Sequence, residues 1–265
     1  MASAELETIA AAELAVKLAL ESKLRPQIKR AFASVATDLA ITWASRQTIP
    51  DMRQHQQAVE VILLEHYKAC GRAFGGTIRA RLGKGMIYRA ESKVADPLDA
   101  QIAGNLLEWA KAHARQQSLY IADTTSQDLA KITSAVASEP VPIGSPAPTA
   151  TQQAARIVRD FNASVSERIE AIVITETNAA TENAKQVEAQ ELYKVNRLPG
   201  AAKKTWVARL DNRTREEHMR AEGQTREFDG LYTVWGEQLS YPGDTSHGAS
   251  VKNVIHCRCS SILTW

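Results

Sequence analysis

Four prolines fall within the nine residues PVPIGSPAP at positions 140–148, and no helix runs through such a stretch. Each proline lacks an amide hydrogen, and its ring collides with the carbonyl four residues earlier. Helical patterning is strong on both sides, so the chain must fold in blocks. These are a helical N-terminal region over 1–139, a Pro-rich hinge over 140–150, a helical block over 151–196 and a C-terminal module over 197–265. At 265 residues the chain exceeds the roughly 100–150 residues of a common single domain, so two or more packed units are expected.

From Val59 the apolar positions continue at Leu63, Tyr67, Cys70, Phe74, Ile78 and Leu82, steps of three or four that paint one helical face. Cys70 on that stripe reads as a small buried hydrophobe. Gly71, Gly75 and Gly76 weaken an isolated helix but let a neighbouring helix approach closely. A second stripe runs through Leu98, Ile102, Leu106, Trp109 and His113, and YIADTTSQDLAKITSAVAS reads as a short helix introduced by a polar cap. In the third block Val158, Phe161, Val165, Ile169, Ile172, Glu176, Ala179 and Asn183 share a face, which sets a carboxylate in an apolar stripe. Buried there, Glu176 needs a cation or backbone donors; at the stripe's edge it reaches water.

After the turn signal Leu198-Pro199-Gly200 the character changes. KKTWVARL fits a strand, and in DNRTREEHMRAEG Thr214 precedes Glu217 by three residues, the pattern of a helix-capping box. That helix carries Arg215 and His218 and ends at Gly223. FDGLYTVWGEQLSYPGD, with Gly230 and Gly236 as breakers, reads as short strands and a hairpin. The fold class is therefore α+β: a mainly helical N-terminal region with a small C-terminal α+β module.

Formal net charge is +2 and the pI is near 8.4, so the global balance demands neither nucleic acid nor an anionic membrane. No apolar run approaches the roughly 20 residues of a membrane-spanning helix, and the N-terminus is acidic where a signal peptide is basic. A cytosolic origin is expected. One local patch stands out: Lys68, Arg72, Arg79, Arg81, Lys84, Arg89 and Lys93 are opposed only by Glu91. This segment either lies against DNA or an acidic partner surface, or is a solvated helix face.

Two of the three cysteines sit in one C-x-C step, Cys257 and Cys259, directly after His256. In a reducing compartment they are free thiols or metal ligands, since a C-x-C bridge is strained. One reading is a structural zinc site with Cys257, Cys259 and His218, the fourth ligand coming from Asp244, His256 or His247. The other is a metal-free cluster of packed thiols and hydrogen-bonded polar groups, because paired C-x-x-C knuckles are missing. Arg215 is a planar fork suited to a carboxylate, and Glu176 is the carboxylate that needs one. Asp211 could hold the same arginine or cap the helix.

In order, the module presents Trp206, then Asp211, Arg213, Arg215 and His218, then Gly223, Phe228, Leu239, Pro242-Gly243-Asp244 and finally HCRC. This series resembles the Mu F-like head morphogenesis family of tailed bacteriophages, with its tryptophan, D-x-R-x-R-x-x-H, glycine, PGD turn and N-C-R-C. Upstream, Thr175, Glu176 and Thr177 are similar to the family's threonine-glutamate-threonine motif. The resemblance covers roughly residues 115–265, and His256 departs from it by replacing the usual asparagine. It implies a minor head protein with no catalytic residues, acting in capsid morphogenesis at the portal vertex. The implied partners are the portal, other head proteins and packaged DNA, and the implied location is the virion after assembly in the host cytoplasm. No membrane partner or small-molecule substrate is implied. The alternative is a metal-dependent hydrolase or nuclease using the His/Cys-x-Cys cluster, with Asp211 or Glu176 as general base.

Overall fold

The computed structural model describes residues 3–85 and 96–265. Five helices come first: α1 Ser3–Arg46, α2 Arg53–Phe74, α3 Thr77–Gly85, α4 Pro97–Ala137 and α5 Ala150–Lys194. A smaller region then mixes short helices and strands: β1 Lys203–Val207, α6 Glu216–Arg220, β2 Thr225–Glu227, β3 Tyr232–Val234, β4 Glu237–Leu239, α7 Val251–Val254 and β5 Ser260–Thr264. The architecture is α+β. Among the described residues no helix is long and apolar enough to cross a membrane.

The Val59 stripe is buried throughout, from Val59 at 0% to Leu82 at 7% exposure, but two helices carry it. The break falls at Gly75-Gly76. A Cβ on Gly75 would lie 2.9 Å from the Leu106 side chain, so the glycine lets α4 close in. Glu188 of α5 then accepts the amides of Ile78 and Arg79 at 3.0 Å each, capping the start of α3 from another helix.

The short helix expected from Tyr120 is instead part of α4, a single helix of 41 residues. Thr125 and Thr133 donate to the carbonyls of Ile121 and Leu129 four residues back, so their hydroxyls are satisfied without ending the helix. The capping box at Thr214 is not formed. The N-cap of α6 is Arg215, without a side-chain cap, and Thr214 bonds the Arg209 carbonyl and Asp211 instead.

The chain divides into two compact units. One comprises Lys23–Leu64 and Ala112–Glu170, with Phe32 stacked against His55 and Phe161 over a core that includes Leu24, Ile28, Leu39, Leu129 and Ile157. The other comprises Met1–Ser22, Glu65–Lys111 and Ala171–Trp265 and contains the whole α+β region.

Within this second unit β1 is the centre of an antiparallel sheet of order β2-β1-β5, and β3 pairs with β4 in a hairpin. Trp235 and Gly236, with φ of 53° and 76°, form the turn. Positive φ at both central residues matches the right-handed twist of the flanking strands. Trp206, Tyr232, Val234 and Leu239 pack around Cys257 and Cys259, so the terminal thiols belong to the module's core.

From Glu176 to Ala189, α5 is buried on almost every side although much of it is polar. Other elements supply partners for these polar groups. Tyr67 donates to Glu176 at 2.5 Å, His66 meets Thr177 at 2.9 Å, and Lys17 reaches Asn178 and Glu182 at 2.8 and 2.7 Å. Lys185 bonds Glu13 and the Ser261 carbonyl. Such a network makes a buried polar helix tolerable.

Candidate metal centre

The centre is built from two directions. Helix α6 presents His218, which is 2% exposed, toward the core beside Trp206 at 5.6 Å between ring centroids. The C-terminal strand β5 pairs with β1 from Lys203↔Thr264 to Val207↔Ser260, which delivers the preceding C-x-C to the same place. At His256 φ is 56°, and its amide donates to Thr175 Oγ1 at 3.0 Å, so the turn into Cys257 is anchored on α5.

His218 Nδ1 lies 3.6 Å from Cys257 Sγ and 3.5 Å from Cys259 Sγ, and the three donor atoms all lie within 4.8 Å of one another. With zinc–sulfur bonds of about 2.3 Å and a zinc–nitrogen bond of about 2.0 Å at the tetrahedral angle, N···S separations come to about 3.5 Å. The donors thus stand at ligating distance, and their chemistry, two thiols and an imidazole, is that of a zinc or other borderline-soft metal site. A sulfhydryl hydrogen bond from Cys259, helped by His218, holds the Cys257 thiol well below its usual range despite burial. Its partner Cys259 is correspondingly pushed well above. His218 Nε2 is buried without a hydrogen-bond partner among the described residues. All three cysteines are free, and Cys70 lies apart, wholly buried, its thiol pushed up to about 12 by burial.

This cluster corrects the expectation of a chain without catalytic residues. Three buried donors at ligating distance give the module a metal-binding capability, and with it the capacity for metal-assisted chemistry.

Asp244, His247 and His256 occupy different surroundings. Asp244 is 1% exposed, and its carboxylate accepts the amides of Ser240 and Ser246 at 2.8 Å each, bracing the PGD turn. His247 bonds Ser240 Oγ at 3.0 Å and lies 3.9 Å from Asp244. His256 lines the cavity beside the cluster. Glu176 and Arg215 are held by different groups, Glu176 by the Tyr67 hydroxyl and Arg215 by the carbonyl of Ile255.

Asp211 grips Arg258, the residue between the cysteines, through two bonds of 2.7 Å, and Arg209 through one of 2.8 Å. The Arg258 hydrogen bonds above all hold its carboxyl far below the usual carboxylate range. A carboxylate so engaged is a brace rather than a free base. Sequence reasoning gave Arg258 no role, although its position inside C-x-C was a signal that it would be carried wherever the sulfurs go.

The residues of the basic patch have separate environments. Arg79 pairs with Asp99 and Glu188, Arg81 stacks on Trp265 at 4.8 Å, and Arg72 is exposed. Arg89 and the side chain of Lys84 lie outside the described residues.

A small cavity of about 10 Å³ opens beside the cluster, lined by Arg209, Arg213, Thr214, Arg215, His218, His256, Cys257, Arg258 and Cys259. Residues 148–262 match a family model described as Phage Mu protein F like protein. No curated protein and no solved structure matches.

Proposed function

The chain belongs, through residues 148–262, to the Mu F-like family of phage head morphogenesis proteins, and from that premise we propose that its C-terminal module is a metal-dependent hydrolase working within head assembly. The observation that supports this reading is the convergence of His218 Nδ1 with Cys257 and Cys259 Sγ at 3.5–3.6 Å on the wall of a cavity. Three protein donors leave one tetrahedral position for water or substrate, as catalytic zinc sites do and closed structural sites do not.

When bound there, a divalent metal supplies Lewis acidity to a substrate oxygen. The chain's own residues do the rest. His218 and the cysteines hold the site on two different elements, Trp206 and Tyr232 keep its inner side dry, and the Asp211–Arg258 pair fixes the C-x-C backbone. The portal vertex, other head proteins and packaged DNA are the partners this reading gives the module inside the virion, on the strength of the family alone.

The test is elemental analysis of chelator-free protein together with hydrolysis of ester, amide and phosphodiester model substrates. About one zinc per chain and chelator-sensitive turnover, restored by added metal, are expected. A folded protein with no metal, or a metal-loaded protein that turns over none of these substrates, would remove the proposal.

A further inference from the structure

Resting on that reading of the metal centre, we propose that the arginine-lined mouth of the adjoining cavity is a phosphoryl-binding subsite, with Arg213 and Arg215 as its anion-binding residues, so that the substrate class is a phosphate ester. Four guanidiniums line the cavity and no carboxylate does. Their donor capacity is unequally used. Arg209 and Arg258 are committed to Asp211, which leaves them as a positively charged wall rather than free hydrogen-bond forks. Arg215 directs one amino group at the Ile255 carbonyl. The Arg213 side chain makes no hydrogen bond or ion pair with any described residue, and only its backbone amide is used, donating to Asp211.

Nearby acids do not cancel this charge. Glu216 and Glu217 are both taken by Arg220 on the outer face of α6. Asp211 engages the guanidiniums of Arg209 and Arg258, and with four arginines lining it the cavity keeps a surplus of positive charge. Guanidinium forks match the oxygens of a phosphate bidentately, which makes arginine the usual choice where a phosphoryl group is recognised. The enclosed space is about 10 Å³, room for about one water, so a phosphoryl group docks at its mouth, where Arg213 is exposed and Arg215 half-buried. The cysteines and His218 line the same space, so an anion held by Arg213 and Arg215 sits beside the donors of the metal.

The phosphoryl group could belong to a nucleic-acid backbone or to a small phosphate, and calorimetric titration of the full chain with inorganic phosphate and with a single-stranded oligonucleotide separates them. Wild-type protein with its metal content measured should bind phosphate. Arg213→Gln, which breaks no internal contact, and Arg213→Gln with Arg215→Gln should weaken binding at least about ten-fold at unchanged zinc content. Oligonucleotide that competes with phosphate assigns the backbone as the source, and phosphate binding without competition assigns a small phosphate. Metal-loaded wild type that binds neither, or variants that bind as wild type does, would overturn the subsite while leaving the metal centre standing. Metal-free protein would instead sink the metal reading, and its phosphate affinity would still decide the subsite, because neither arginine is a metal ligand.

Discussion

Lys17, in the first helix, donates a 2.7 Å hydrogen bond to Glu182 across 165 residues of sequence, and neither side chain is more than 3% exposed. The ammonium also reaches Asn178 Oδ1 at 2.8 Å and Ser260 Oγ at 3.0 Å. It thereby ties α1 to α5 and to the first residue of β5, directly after Cys259.

Removing Lys17 takes from the buried Glu182 its 2.7 Å cation partner and leaves it Lys185 at 2.9 Å, a cost of up to about 3–5 kcal/mol. Lys17→Met should therefore lower the urea midpoint sharply, and Lys17→Met with Glu182→Gln should recover part of the loss. A single variant as stable as wild type would show that the pair does not hold the unit together. The acid side has a definite sign. Burial raises the Glu182 carboxyl, but Lys17 and Lys185 overcome it and leave the value below the usual 4.5. Its contribution is present above that pH and is lost as pH falls through the lower folded value.

What the sequence made legible follows from what is local. The stripe from Val59 to Leu82, strand Lys203–Val207 and the hairpin at Trp235-Gly236 rest on periodicity and turn chemistry, and these were readable. The approach of His218 to the cysteines was readable as a candidate because the residue types themselves carry metal chemistry. Lys17 was not, since nothing in AELAVKLAL distinguishes a lysine destined for α5 from one facing water. The single long α4 escaped for a related reason. Thr125 and Thr133 suit a cap and equally suit a back-bond to the preceding turn, and only packing decides. Asp211 shows the same ambiguity, resolved by an arginine 47 residues away.

Lys204 gives an alkaline counterpart. It is 2% exposed, donates to the Ser240 carbonyl at 2.6 Å and lies 5.4 Å from the Tyr232 ring. Burial brings its ammonium down from 10.5 to about 8, against the opposing pull of Asp244 and Asp229. Between those values the unfolded chain holds a proton that the folded chain has released. Folding stability therefore rises with pH across that window. Urea midpoints of wild type and Lys204→Met at pH 7, 8, 9 and 10 should diverge in favour of wild type as pH rises. Parallel curves would show that the lysine stays charged when buried.

Gly243 sits at φ 92° in the PGD turn, where an added Cβ would meet the Ala179 Cα at 3.4 Å, and Asn178 Nδ2 donates to the Pro242 carbonyl at 3.2 Å. The turn therefore packs on the backbone of α5. Alanine at this position incurs both the left-handed strain and the close approach, about 1–3 kcal/mol in thermal or urea unfolding. Gly200, with open space around it, is the control, and alanine there should change stability by less than about 0.5 kcal/mol. Equal effects at the two positions would refute the packing argument.

Asp211→Asn tests whether the brace acts on the metal donors. The carboxylate holds Arg258 with two 2.7 Å bonds, and Arg258 lies between Cys257 and Cys259, so the backbone that aims both sulfurs is fixed from outside the site. An amide can accept only one of the two guanidinium bonds and carries no charge, which frees the C-x-C step to move. Outer contacts of this kind typically alter metal affinity by about 10–100-fold. Competition with a chromophoric chelator should find zinc weakened by that factor in Asp211→Asn at unchanged stoichiometry, while Cys70→Ser, on α2 and outside the donor cluster, leaves it unaltered. Cobalt substituted at the site should keep its thiolate-to-metal absorption in Asp211→Asn, since both sulfurs remain, and lose part of it in Cys257→Ser. An Asp211→Asn protein that holds zinc as tightly as wild type would confine the Asp211–Arg258 pair to loop stability, with no hold on the sulfurs.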